Sequence, residues 1–211
     1  MLFMLLELEF IMLQKMDYKA NISYQLSTLF GLGRLPGGGT WGSLVVLLLC
    51  LSNNDLIIFI PMITLFIAPK VYKNSLSFFK SKDPKEFVLD EVVGMGLALI
   101  IVRMFSKIFG NLTFNFENYD ILFGGGKIAS FLNTQEFLFL LTFIFFRIYD
   151  ISKVGPVGWT EDPSTAPLWW HSSDKNPKED PYARVLGDDI MAALLAGISV
   201  IAILTIFTWM V

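Results

Sequence analysis

Five apolar stretches punctuate the chain: Leu44–Leu51, Leu56–Ala68, Val92–Phe105, Glu136–Ile148 and Ile190–Val211. Only Ile190–Val211 reaches the roughly 18 to 20 apolar residues that an isolated spanning helix needs. Ser52-Asn53-Asn54-Asp55 separates the first two stretches, and four polar residues at mid-membrane would be costly. The pattern therefore predicts a helical hairpin turning at Ser52–Asp55, with its second arm running on from Tyr72 to Phe79 as an interfacial piece. Residues 110–135 read as a polar loop and 149–187 as a polar, proline-bearing connector. Leu168-Trp169-Trp170-His171 within that connector forms an interfacial aromatic anchor. The predicted fold is all-α: a polytopic membrane helical bundle with about five membrane segments, some short or re-entrant. Ala192-Ala193 and Ala196-Gly197 suit close helix packing in the last of them.

Composition agrees with a membrane setting. Of 211 residues 54% are hydrophobic, which soluble domains rarely reach. The formal charge is -3 and the basic residues form no continuous stripe, so no nucleic-acid partner is expected. A single cysteine, Cys50, excludes an intrachain disulfide and lies in an apolar run. Residues 1–24 are expected to be an N-terminal leader or interfacial helix, and residues 25–211 one membrane-embedded domain. The opening MLFMLLELEFIMLQKM lacks the basic n-region of a signal peptide, since its first basic residue is Lys15 and Glu7 and Glu9 interrupt the run. It is read either as an interfacial amphipathic helix or as sequence ahead of a start at Met12 or Met16.

The candidate chemistry sits at the ends of the apolar stretches. Asp90-Glu91 stands at the mouth of Val92–Val102, Asp188-Asp189 precedes Ile190, and Asp150 follows Phe137–Phe146. Carboxylates so close to a membrane are expensive and are usually paired, metal-bound or functional. Residues 30–43, FGLGRLPGGGTWGS, hold six glycines, a proline and Arg34. Such a stretch suits an anion-binding loop, with Thr40 or Ser43 capping the next helix, although no Walker A signature follows. With the five-segment topology, Arg103, Lys107 and Lys127 fall on one side and the other thirteen of the sixteen Lys and Arg on the opposite side. The positive-inside rule makes the richer side cytoplasmic. Every acidic site, the glycine-rich loop, Arg147 and Lys153 gather there.

Clustered Asp and Glu with no companion His or Cys suit a hard cation such as Mg²⁺. Arg34, Arg147 and Lys153 supply charge suited to phosphate. Together they suggest phosphoryl chemistry on a lipid head group. Cysteine-based, two-histidine and Asp-x-Asp phosphatase chemistries lack their residues here, as does the alcohol-phosphatidyltransferase motif. Each residue also has a plainer reading: Asp90 or Asp188 as a helix N-cap, and Arg147 with Asp150 as an i, i+3 pair. A small membrane transporter and a non-catalytic membrane assembly factor are the other classes considered.

Gly31-Leu-Gly-Arg34, Gly39-Thr40-Trp-Gly42-Ser43, Asp90-Glu91-Val-Val-Gly94-Met95, Phe146-Arg147-Ile-Tyr-Asp150-Ile-Ser-Lys153 and Asp188-Asp189-Ile, in that order, resemble phosphatidylglycerophosphatase A across roughly residues 25–205. The resemblance implies a Mg²⁺-dependent enzyme of the bacterial inner membrane, its active site facing the cytoplasm, that converts phosphatidylglycerophosphate to phosphatidylglycerol and inorganic phosphate. The expected catalytic residues are Asp90, Glu91, Asp150 and Asp189. The expected metal ligands are Asp90, Glu91, Asp150, Asp188 and Asp189, and Arg34, Thr40, Ser43, Arg147 and Lys153 are expected to bind the substrate phosphate. The expected partners are phospholipid and membrane.

Overall fold

The computed structural model describes residues 18–52, 59–80, 84–109, 131, 134–161 and 181–210. Among them the structure is all-helical: α1 (18–27), α2 (Gly38–Leu51), α3 (Phe59–Ser75), α4 (Leu89–Ile108), α5 (Gln135–Ser152), α6 (Pro156–Glu161) and α7 (Pro181–Met210), with 3₁₀ turns at Leu32–Arg34 and Leu76–Phe78. Residues 1–16, the centre of the hairpin turn, most of the 110–135 loop and Leu168–His171 lie outside the described residues.

The central element is α4, which is buried on most of its circumference: Val92, Val93, Met95, Ala98, Leu99 and Val102 are all enclosed. α7 lies against it through Ala192, Ala193 and Ala196, each fully buried, so two backbones approach with little side chain between them. Gly197 continues that seam, since a Cβ there would come 2.8 Å from Ile101. The main core joins α2 (Val46, Leu47, Cys50), α4, α5 (Phe139, Phe146), α6 (Val157) and α7. A second cluster packs Ala68, Val71 and Tyr72 of α3 against Phe87 and Leu89, with Leu26 of α1 beside it. A third, Val102, Leu138, Val200 and Leu204, closes the end of the bundle remote from the acidic residues.

Several boundaries differ from the sequence expectation. α7 begins at Pro181, not at Ile190: proline is well placed in the first helical turn, and the polar stretch after it simply forms the first turns of the helix. Asp188-Asp189 therefore lies inside a helix and caps nothing. α5 runs on to Ser152, where Lys153 takes a left-handed conformation (φ 50°) and ends it, and α6 follows at once, so both ends of the expected connector 149–187 are helical. Thr40 and Ser43 are not caps either. α2 starts at Gly38 behind a left-handed Gly37 (φ 72°) without a side-chain cap. α1 runs through residue 24, where the expected leader ends.

Among the described residues one helix, Val185–Trp209, is long and apolar enough to cross a membrane, and Gly38–Leu51 is a shorter apolar helix. The outward faces are nonetheless apolar on several elements: Met62, Ile63 and Phe66 on α3, Ile144, Ile148 and Ile151 on α5, and Ile198, Ile206 and Trp209 on α7 are exposed.

Candidate active site

The first turn of α4 carries Asp90 and Glu91, where negative charge is favoured by the helix dipole. Asp90 Oδ1 accepts a hydrogen bond from Glu91 N–H at 3.1 Å. Across the seam, Asp188 Oδ1 accepts from Asp189 N–H, also at 3.1 Å. One carboxylate oxygen from each of Asp90, Glu91 and Asp189 lies within 4.8 Å of the others. Asp90 and Asp189 are buried, and Glu91 Oε2 and Asp189 Oδ1 are enclosed with no hydrogen-bond partner among the described residues. Buried acceptors are normally satisfied. Three crowded carboxylates also repel one another unless a cation sits among them. The donor set is all oxygen, with no His or Cys, so these residues fit a hard divalent cation such as Mg²⁺.

A layer of positive charge stands next to this trio. Arg147, on the last turns of α5, forms an ion pair from Nη1 to Asp150 Oδ2 at 2.6 Å, and the same nitrogen donates to Ser43 Oγ at 3.4 Å. Ser43 Oγ in turn donates to Gly39 O at 2.8 Å. Arg147 Nε is enclosed and carries no hydrogen bond among the described residues. Lys153 bridges two helices, with Nζ 3.3 Å from Asp150 Oδ1 and ion-paired with Asp188 Oδ2. Burial by itself would lower the Lys153 pKa. The carboxylates of Asp188, Asp150 and Asp189 outweigh it and hold the ammonium above the ordinary lysine range, so it stays charged at neutral pH.

The structure thus gathers Asp90, Glu91 and Asp189 into one trio, and sets Arg147, Lys153, Asp150, Asp188 and Ser43 into the ion-pair layer beside it. Asp150 and Asp188, expected as metal ligands, direct oxygens at Arg147 and Lys153. Arg34, expected to bind phosphate, is exposed, with its guanidinium carbon 4.8 Å from the centre of the Tyr24 ring. Thr40 is half-buried in the first turn of α2, and its N–H and that of Trp41 both bond to Gly37 O. Those two donors are used within the helix, and by position the N–H groups of Gly38 and Gly39 are its leading donors without an intrahelical partner.

Three glycines shape the site. A Cβ on Gly39 would overlap Glu91 Oε1 and lie 3.2 Å from Arg147 Nη1. A Cβ on Gly42 would lie 3.1 Å from Val88 O. A Cβ on Gly94 would lie 2.9 Å from both Asp189 Cβ and the Phe146 ring. Nothing in the sequence pattern marks Gly39 or Gly42 for such a role. For Gly94 a signal was present: it falls three and four residues after Glu91 and Asp90, hence on the same helical face.

Fold and site together define an all-helical protein with a buried acidic trio flanked by ion-paired cations, an arrangement suited to a phosphate ester. The family model for phosphatidylglycerophosphatase A matches residues 25–204, and the chain belongs to that family of membrane-associated phosphoric monoester hydrolases, whose substrate is a phospholipid. Comparison with curated proteins and with solved structures gives no match.

Proposed function

We propose that this protein hydrolyses phosphatidylglycerophosphate to phosphatidylglycerol and inorganic phosphate, with Mg²⁺ held by Asp90, Glu91 and Asp189. Water supplies oxygen to phosphorus, the ester P–O bond breaks, and the glycerol oxygen leaves with a proton. A divalent cation held by these three residues would supply Lewis-acid charge neutralisation. Arg147 and Lys153 neutralise the phosphomonoester from the opposite side, and Asp150 holds both in place. The leading N–H groups of α2, at Gly38 and Gly39, add neutral donors to the same anion. The observation that carries this reading is the pair of enclosed, unpartnered oxygens, Glu91 Oε2 and Asp189 Oδ1, within the trio.

The site is proposed to face the cytoplasm in a multi-pass inner-membrane protein. The skew of Lys and Arg and the apolar outward faces of α3, α5 and α7 support this. A transporter would carry its acids along a path through the bundle, whereas the trio sits at one end and an apolar cluster closes the other. The test is phosphate release from purified protein in mixed micelles. Activity is expected to vanish with EDTA and return with Mg²⁺, and full activity in EDTA would refute the assignment.

A further inference from the structure

Arg147 is held by one of its three nitrogens. A guanidinium has five N–H donors in a rigid plane and no acceptor. Nη1 gives one N–H to Asp150 Oδ2 at 2.6 Å and the other to Ser43 Oγ at 3.4 Å. The Asp150 contact is local, between residues one turn apart on α5. The Ser43 contact joins α5 to α2, across 104 positions of sequence. Nη1 also stands only 3.2 Å from where a Cβ on Gly39 would lie, so α2 closes over it. With Nη1 engaged, the edge formed by Nε and Nη2 remains for an anion, and Nε is enclosed without a partner among the described residues. Such a planar edge binds two oxygens of a phosphate at once.

Ser43 meets Arg147 in one sense only. Its Oγ donates at 2.8 Å to Gly39 O, the carbonyl one turn back along α2. A hydroxyl has a single proton, so Ser43 faces the guanidinium as an acceptor. The same commitment removes it as a phosphate ligand, because a serine binds an oxyanion by donating. Ser43 is also fully enclosed, whereas 14% of the Arg147 side chain is exposed. Of the two, the arginine is the one open to an anion.

We infer that Ser43 is a positioning residue for Arg147. Together with Asp150 it fixes Nη1, which turns the Nε and Nη2 edge toward the substrate phosphate. Asp150 alone leaves the guanidinium free to swing about one ion pair, and the second, interhelical contact removes that freedom. The inference rests on the lipid phosphatase reading above. It gives Ser43 a role through the arginine, in place of the direct phosphate contact expected from the sequence.

The test is a double-mutant cycle in the full chain with Ser43→Ala and Arg147→Lys. Ser43→Cys is a second variant that keeps the volume but accepts hydrogen bonds weakly. Two quantities are read in Mg²⁺: the turnover number on phosphatidylglycerophosphate in mixed micelles, and the inhibition constant of inorganic phosphate. With Arg147 present, both serine variants are expected to lower turnover about tenfold, less than the roughly 10²-fold of a full ångström's misplacement. The phosphate inhibition constant should rise by a similar factor. In the Arg147→Lys background the same substitutions should change neither quantity, because an ammonium has no planar fork to orient. The rise in thermal midpoint caused by Mg²⁺ should match the wild type, since the acidic trio is untouched. Equal losses in both backgrounds overturn the inference and return Ser43 to direct contact with phosphate. Wild-type kinetics in the serine variants also overturn it. So does a loss accompanied by a missing Mg²⁺ response, which makes Ser43 a packing residue only. Absence of phosphate release from the unaltered protein is a different failure: it refutes the hydrolase reading, and the inference falls with it.

Discussion

Gly94 of α4 and Asp189 of α7 meet without a side chain between them: a Cβ at position 94 would stand 2.9 Å from the Asp189 Cβ. The acidic trio exists because these two helices come that close. The same missing Cβ would also press on the buried Phe146 ring at 2.9 Å, so at least one of the two neighbours must shift. Gly94→Ala is expected to cost about 1–3 kcal/mol of stability through overpacking. It should also weaken Mg²⁺ binding by tenfold or more, read as the Mg²⁺ concentration needed to raise the thermal midpoint. A normal Mg²⁺ response in a destabilised variant would show that the contact is packing alone.

Gly39 is the corresponding position on α2, and here the space is taken by the Glu91 carboxylate and the Arg147 guanidinium. Gly39→Ala should displace one or both by a fraction of an ångström to an ångström. Misplacement on that scale costs about 10²-fold in rate. The expected result is a folded protein with the turnover number reduced by that order, whereas a wild-type rate would show that Glu91 has freedom to move aside.

Neutralising the trio separates charge crowding from fold. Glu91→Gln and Asp189→Asn each remove one of the repelling carboxylates. In EDTA both variants are expected to melt at or above the wild-type temperature, because the repulsion among three carboxylates is relieved. In millimolar Mg²⁺ the order should reverse, since only the wild type gains from the cation. Identical Mg²⁺-induced shifts in all three proteins would remove these residues from the metal site.

Lys153 and Asp188 form an interhelical ion pair, and Lys153 also reaches Asp150. Removing either partner leaves a largely enclosed charge uncompensated. A double-mutant cycle with Lys153→Met and Asp188→Asn should therefore be non-additive by more than about 0.5 kcal/mol. Additive effects would mean that the pair contributes nothing to docking α5 on α7.

Arg147 pairs with Asp150 through one nitrogen while Nε stays without a partner among the described residues. If the guanidinium grips phosphate, Arg147→Lys should impair turnover in a folded, Mg²⁺-responsive protein, because a point charge cannot replace a planar fork. Unchanged turnover number and KM would make Arg147 a structural ion-pair partner only.

The sequence by itself determined the helical class, the five apolar stretches and the acidic and basic residues that are candidates for the site. Apolar runs of helical length and local i, i+3 spacing are written along the chain, so the pairing of Arg147 with Asp150 could be read directly. What the tertiary structure alone decided is which acids meet. Asp188 and Asp189 are neighbours in sequence, yet one residue turns a helix by about 100°. That rotation sends Asp188 to Lys153 and Asp189 to Asp90 and Glu91. Arg34 reads as a phosphate ligand from its glycine-rich neighbourhood, and only the folded turn places it over Tyr24. The glycines at 39 and 94 have no side chain to advertise a role. Theirs is defined by the groups that fill the empty space, and those arrive from helices distant in sequence.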